Sequence, residues 1–288
     1  MKRSIPVLLI SNGLASVGLS ILNKSIATSL DAPLSVVGIQ NVCAALCTLM
    51  IIRWNPDLVK PFRRTHLPYI VPITILFVLA LWTSLLSLRY VPLPIYAIAG
   101  YTRPIFSCVF EYIASGTLIK RSRLIGLLLI IAGSVVASGS LDLAEYHGFG
   151  LALVNTVIVS LLSVVENKTM KKIGNQQTPM GVNMYRLVFS IPILFLMAAA
   201  KLEYSNLLLS ETDTQILLIL SGFICLFSGI IMYALQAVTT STTLLVANAG
   251  YKFITSIASI FVHSYAPPAH AIVGYMICTC GFLAYSLV

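Results

Sequence analysis

Two basic residues stand where a basic residue is costly. The stretch 244–264, LLVANAGYKFITSIASIFVHS, is apolar for about twenty residues and holds Lys252 near its middle. An ammonium at bilayer depth costs roughly 2.5–3.5 kcal/mol or more, so it needs a compensating partner and marks a candidate functional site. About 150 residues earlier, the stretch 96–111, YAIAGYTRPIFSCVFE, carries the same Ala-Gly-Tyr with Arg103 just after it. Helical spacing puts Tyr96, Gly100, Arg103 and Ser107 on one face, and Asn248, Lys252, Thr255 and Ser259 on another. Arginine offers a planar fork of donors suited to phosphate, and lysine adds a point charge. Two cations in a low-dielectric cavity repel unless an anion lies between them. A phosphorylated or nucleotide-linked substrate would neutralise them, and the empty site would resist changing conformation. That is a hypothesis of obligatory exchange.

The remaining candidates divide between site and scaffold. Glu111 is the clearest acid well inside an apolar stretch. It lies eight residues from Arg103, about 12 Å of helix rise and too far for a direct pair. A Glu111–Lys252 pair would leave Arg103 alone, so Glu111 is read as a structural or gating residue. Arg186, which follows Asn183 and Tyr185, either reaches the cavity from one end, with Tyr185, or snorkels to headgroups. Lys24 lies near a span end, where snorkelling competes with a gating or ion-pair role. Tyr96, Tyr101 and Tyr251 could stack on a base or bond a sugar, against the plainer reading of packing residues. Asn248 would help to shape the pocket. His66, His147, His263 and His270 are scattered without metal-ligand spacing, and no H-E-x-x-H, G-x-S-x-G or P-loop pattern is present. No cofactor and no metal are expected.

Composition sets the class. Of 288 residues, 58% are hydrophobic and 9% charged, against about 25% charged in a soluble domain. With a mean hydropathy of +0.94, a water-soluble globule is excluded. The six cysteines fall inside apolar stretches without disulfide or zinc spacing and read as small hydrophobes. Met1-Lys2-Arg3-Ser4 runs straight into an apolar stretch, which is expected to be an uncleaved first span rather than a signal or transit peptide.

The apolar stretches predict ten spans, at 5–27, 34–53, 68–88, 93–116, 122–140, 147–167, 179–199, 214–235, 241–263 and 268–288. Between them lie polar or breaker clusters, including Lys120–Arg123, Asp142–His147, Glu203–Asp213 and Pro267-Pro268. One side then holds Lys2, Arg3, Arg53, Lys60, Arg63, Arg64, Lys120, Arg121, Arg123, Lys168, Lys171 and Lys172; the other holds Arg89 and Lys201. The positive-inside rule assigns the crowded side, and both termini, to the cytoplasm. The net charge of +9 thus reads as topology, with no nucleic-acid partner implied.

The chain also echoes itself. Asn23-Lys24-Ser25 recurs as Asn167-Lys168-Thr169, 144 residues on, and Ala99-Gly100-Tyr101 recurs as Ala249-Gly250-Tyr251, 150 residues on. Two matches in the same order predict a duplication into halves 1–144 and 145–288. Five spans per half is odd, so the repeats would be inverted, with a midplane site at their interface. The expected fold is all-α and integral to the membrane, with ten helices in two inverted five-helix repeats. Pro94, Pro104 and the glycines suggest kinks and close contacts in moving helices.

With those stretches in view, the chain resembles the nucleotide-sugar transporter and triose-phosphate translocator branch of the drug/metabolite transporter superfamily. The resemblance runs through ILNKSIAT, LRYVPLPIYAIAGYTRPIFSCVFEYI, GLLLIIAGSVVASG and NAGYKFITSIASIF. GDP-mannose-type carriers have G-A-L-N-K where this chain has Asn248-Ala249-Gly250-Tyr251-Lys252, sharing only the lysine. Their F-Y-N-N stands as Met184-Tyr185-Arg186-Leu187, keeping the tyrosine. The triose-phosphate and CMP-sugar branches grip phosphate with basic residues in the fourth and ninth spans, which implies that role for Arg103 and Lys252. The Lys-Arg pair of the translocators is absent here, since Phe253 follows Lys252.

The resemblance implies an antiporter of the Golgi or endoplasmic reticulum membrane. It would exchange a cytosolic nucleotide sugar for a lumenal nucleoside monophosphate, with a homodimer left open. A triose-phosphate or other sugar-phosphate exchanger is the alternative. A multipass intramembrane enzyme and a non-transporting scaffold are the more distant ones, the first lacking catalytic groups and the second having no use for mid-span charges.

Overall fold

The computed structural model describes residues 5–116, 121–137, 143–203, 212–263 and 268–286. Of the expected loops, Lys120, Asp142, residues 204–211 and Pro267 lie outside the described residues, as does the Ser259 side chain, while residues 121–123 and 143–147 are helical. The described chain is helical, without strands among the described residues. The helices are α1 (Ile5–Ser29), α2 (Pro33–Trp54), α3 (Leu67–Tyr90), α4 (Leu93–Tyr101), α5 (Arg103–Ser115) and α6 (Arg121–Ala137). They continue with α7 (Leu143–Ile173), α8 (Pro179–Ala200), α9 (Thr212–Val238), α10 (Ser241–His263) and α11 (Ala269–Ser286). Six of them, α1, α2, α3, α7, α8 and α9, are long and apolar enough to cross a bilayer, and Leu124–Ala137 and Ala269–Tyr285 are shorter apolar segments. The outer faces carry exposed large hydrophobics such as Val7, Leu14, Ile125, Leu128, Leu196 and Met276, as lipid-facing surfaces do.

The expected single span over 93–116 is two helices. Pro104 has no N–H to give to the preceding turn and its ring crowds the carbonyl four residues back, so the helix stops at Thr102 and restarts. The break is stitched locally. Thr102 donates from its amide and its hydroxyl to the Ala99 carbonyl, at 3.2 and 2.8 Å, and the Thr156 hydroxyl donates to the same oxygen at 3.0 Å. Broken helices at membrane depth survive where neighbours satisfy the freed groups in this way.

The opening helix of each half of the chain packs against the later helices of the other. Helix α1 lies against α9 and α10, while α7 lies against α3, α4 and α5. Helices α6 and α11 pack backbone to backbone. A Cβ on Gly126 would stand 2.7 Å from the Gly281 carbonyl oxygen, and one on Gly133 would stand 2.7 Å from that of Gly274. No side chain fits there, so four glycines set the distance between these two backbones, as small residues do in membrane helix pairs. The buried core runs from Ile26, Leu34, Val37, Leu88 and Leu93 in the first half to Ala152, Leu194 and Leu218 in the second.

Candidate functional site

The break between α4 and α5 brings two residues of one polar stripe together. Tyr96 on α4 and Arg103 at the start of α5 meet across Thr102, with the guanidinium donating to the Tyr96 hydroxyl at 3.1 Å. Asn155 on α7 holds both. Its amide oxygen accepts from the Arg103 guanidinium at 3.1 Å and from the Tyr96 hydroxyl at 3.0 Å. Its amide nitrogen is fixed in turn on the Ala80 carbonyl at 2.6 Å and the Thr83 hydroxyl at 3.0 Å. Ser84 completes the group, 2.7 Å from the Tyr96 hydroxyl.

Lys252 on α10 reaches the same ring. Its ammonium stands 5.0 Å from the Tyr96 ring centroid and the Arg103 guanidinium 5.9 Å from it, so one aromatic ring serves two cations. Gly100 lies between them: a Cβ there would be 3.7 Å from Lys252 Cγ and 3.9 Å from Arg103 Cζ. Lys252 also donates to the Ser20 hydroxyl of α1 at 3.1 Å. Arg103 is 8% exposed and Lys252 6%. Among the described residues neither has a carboxylate within ion-pair distance, and the buried Arg103 Nε has no hydrogen-bond partner. Two buried cations with donors to spare form a site for an anion with several oxygens.

The other candidates are placed around this centre. The Asn248 oxygen accepts from the Asn12 amide at 3.0 Å, one helical turn from Lys252. Tyr251 turns toward α1, donating to the Leu9 carbonyl at 2.7 Å with its ring over Gly13, where a Cβ would come within 2.7 Å of it. Tyr101 lies 6.5 Å from Tyr275, ring to ring. Tyr101 and Tyr251 both line a separate apolar cavity of about 370 Å³, with Leu9, Gly250 and Phe282.

Arg186 and Tyr185 belong to a different region. Arg186 is ion-paired to Glu166 at 3.1 Å, donates to Asn183 at 2.6 Å, and has its guanidinium carbon 3.7 Å from the Phe77 ring centroid. Glu166 also accepts from Tyr233 at 2.8 Å and Gln236 at 3.3 Å. Tyr185 donates to the Lys60 carbonyl at 2.6 Å, in the connection before α3. Glu111 caps α10, accepting from the Thr242 amide at 3.1 Å and its hydroxyl at 2.7 Å. Lys24 donates to the Leu88 and Val91 carbonyls at the end of α3, at 2.7 and 3.0 Å. Both are bound to helix ends.

Asn155, Ser20 and Glu166 do not stand out in the sequence as the other site residues do. Asn155 is the lone amide in the apolar run of α7, a polar group at membrane depth and so a signal in its own right. Glu166 is obscured by Lys168 and the neighbouring polar residues, which make that turn look like a span end.

The helices, the lipid-type outer surface and the central cations define a multi-pass membrane protein with an anion-ready centre. The chain belongs to the Triose-phosphate Transporter family, whose model matches residues 6–286. A probable sugar phosphate/phosphate translocator of Arabidopsis thaliana is 20% identical over 94% of this chain and 91% of its own length. UDP-uronic acid transporter 1 of Arabidopsis thaliana is 21% identical over 98% of this chain and 94% of its own. A solved crystal structure, 14% identical, superposes with a TM-score of 0.65 over 98% of this chain and 96% of that one, a likeness of fold. The protein is accordingly a membrane transporter, which sets aside the intramembrane enzyme.

Proposed function

We propose that the protein is an endomembrane antiporter for a nucleotide sugar, returning a nucleoside monophosphate by alternating access. The observation that carries this is the pair of buried cations, Arg103 and Lys252, sharing the Tyr96 ring with no carboxylate near them among the described residues. A phosphate or diphosphate between them supplies the missing negative charge. Moving the empty site across the membrane means moving two uncompensated cations, so exchange outruns net flux. Asn155 and Ser84 fix Tyr96, and Asn248 with Asn12 offers amide groups one turn away for the base or sugar.

The alternating mechanism rests on ten spans in two inverted repeats. Lys24 of α1 holds the carbonyls of residues 88 and 91 at the end of α3. Asn167 of α7 holds those of Gln236 and Thr239 at the end of α9, both 148 residues further on. The glycine pair of α6 recurs in α11 at the same offset, Gly126 with Gly274 and Gly133 with Gly281. Both termini are assigned to the cytoplasm and the protein to the Golgi or endoplasmic reticulum, on the distribution of basic residues and the resemblance to nucleotide-sugar carriers.

A sugar-phosphate/phosphate exchanger is the second reading, favoured by the likeness to the probable sugar phosphate/phosphate translocator. Counterflow in proteoliposomes separates the two. Uptake of a labelled nucleotide sugar driven only by a preloaded nucleoside monophosphate is the expected result. Exchange confined to phosphate and sugar phosphates selects the second reading, and absence of any stimulated exchange rejects both.

A further inference from the structure

At one surface of the membrane domain, the last turns of α7 and the start of α3 border a second cavity of about 360 Å³. Pro68, Tyr69, Lys168, Thr169, Lys171 and Lys172 line it, together with Val165. Its volume falls in the range of small-ligand sites, about 300–1,000 Å³. Lys168, Lys171 and Lys172 follow one another at i, i+3 and i+4, so one face of α7 presents three ammonium groups. All three are exposed, and no acidic residue lines the cavity. The Lys172 ammonium stands 5.5 Å from the Tyr69 ring centroid, and Lys168 donates to the Ala114 carbonyl of α5 at 2.5 Å. A fourth cation, Lys60, donates to the carbonyl of Asn175 just beyond α7 at 3.1 Å.

Cations at a helix C-terminus complement its dipole, and one or two lysines need no other explanation. A cavity is a different matter. Here the lysines wall a space that opens at the end of two spanning helices, where lipid headgroups lie. The half-buried Tyr69 gives it an aromatic edge of the kind found at that depth. No acidic residue lines the cavity to balance the lysines, so an anion fits it. An occupant that stays at this depth is tethered there by acyl chains.

We propose that this cavity binds the headgroup of a polyanionic, phosphomonoester-bearing membrane lipid. The three ammonium groups take the phosphate oxygens, and the Tyr69 ring edges the headgroup. The site is separate from the Arg103–Lys252 centre and shares no lining residue with it, so it tunes the transporter by lipid composition rather than by substrate. It requires only that the chain spans a membrane, and it stands whichever sugar or phosphate the protein carries.

The test uses the full chain in nanodiscs of phosphatidylcholine carrying a small share of phosphatidylinositol bisphosphate. Lipid retention is read by native mass spectrometry, and the melting temperature is followed alongside. Wild type should retain the lipid, and Lys171→Gln with Lys172→Gln should weaken retention about 30-fold, at roughly 1 kcal/mol per cation near a membrane surface. Lys171→Arg with Lys172→Arg should keep it, showing that the loss in the glutamine variant is not misfolding. Arg53→Gln with Arg64→Gln removes the same charge outside the cavity and should cost clearly less than the cavity pair. Equal losses in the two glutamine pairs would reduce the effect to general surface attraction and overturn the site. So would equal retention of phosphatidylserine at matched charge. Displacement by inorganic phosphate alone would make the cavity a soluble-anion site and overturn the lipid assignment.

Discussion

Arg103 and Arg186 are both buried arginines inside the membrane domain, 8% and 6% exposed, and they live in opposite electrostatic settings. Arg186 is neutralised: Glu166 pairs with it, Asn183 accepts from it, and Phe77 lies against its guanidinium. Arg103 is held by neutral groups only, Tyr96 and Asn155, and stands beside a second cation on the same ring. A closed ion pair inside a protein is a structural element. A positioned but uncompensated cation is a device for meeting something charged that comes and goes. Burial and residue type do not separate the two; the partner set does.

Mutations should split along that line. Arg186→Ala leaves Glu166 buried without its counter-ion, a change that costs about 3–5 kcal/mol, so the protein should melt markedly lower or fail to accumulate. Arg103→Ala and Lys252→Ala remove unpaired cations, so the melting temperature should hold or rise while counterflow falls by about 100-fold, equivalent to about 2.8 kcal/mol. The pair Arg186→Met with Glu166→Leu removes both charges and should recover most of the stability lost by Arg186→Ala alone, as replaced buried pairs do. If that double variant stays as unstable as the single one, the pairing is not what Arg186 is for.

Smaller effects sharpen the same contrast. Asn155→Ala leaves the cations and frees Tyr96 and Arg103 to move, so the half-saturating substrate concentration should rise by about tenfold, near 1.4 kcal/mol. Tyr251→Phe removes only a bond to the Leu9 carbonyl, outside the cation centre, and exchange should stay within about threefold of wild type. A larger loss would bring Tyr251 back into the substrate pocket. Glu203 gives the mildest test, as a buried carboxyl at a helix end. Burial pushes its carboxyl above the usual 4.5, against the Leu34 and Ser35 amides that donate to it and the nearby Lys201. A raised carboxyl favours the folded state most when protonated. Relative to Glu203→Gln, wild type should therefore lose melting temperature as pH rises from below 4.5 through that raised value.

Much of the site is legible in the chain because charge inside an apolar run is rare and conspicuous. Lys252 and Arg103 stand out that way, Tyr96 falls on the same helical face as Arg103, and the structure places all three together. The break at Thr102 follows from Pro104, although the sequence alone predicts only a kink. What composition hides is partnership. Arg186 reads as a cavity residue or a snorkelling one because its counter-ion, Glu166, sits on a different helix and close enough to Lys168 to pass for a span end. Tyr101 and Tyr251 read as residues that stack on a base or bond a sugar, or as packing residues; each lies off the polar face by its place in the helical turn, and both line the apolar cavity. Asn155 escapes a search for formal charge, whereas an uncharged amide can organise a charged site by holding one neighbour's hydroxyl and another's guanidinium.

The central claim is that the Arg103–Lys252 centre lacks compensating negative charge and that the transported anion supplies it. Asn155→Asp puts a carboxylate in the place of an amide oxygen that already lies 3.1 Å from the Arg103 guanidinium, at almost no change in volume. Counterflow of the labelled substrate, measured beside the melting temperature of the same purified variant, is the direct test. Exchange should fall by about 100-fold, further than in Asn155→Ala, because the built-in carboxylate takes the anion's place; its second oxygen faces the Ala80 carbonyl where the amide donated, so a modest fall in melting temperature accompanies it. Exchange at the wild-type rate in a folded Asn155→Asp protein would contradict the claim.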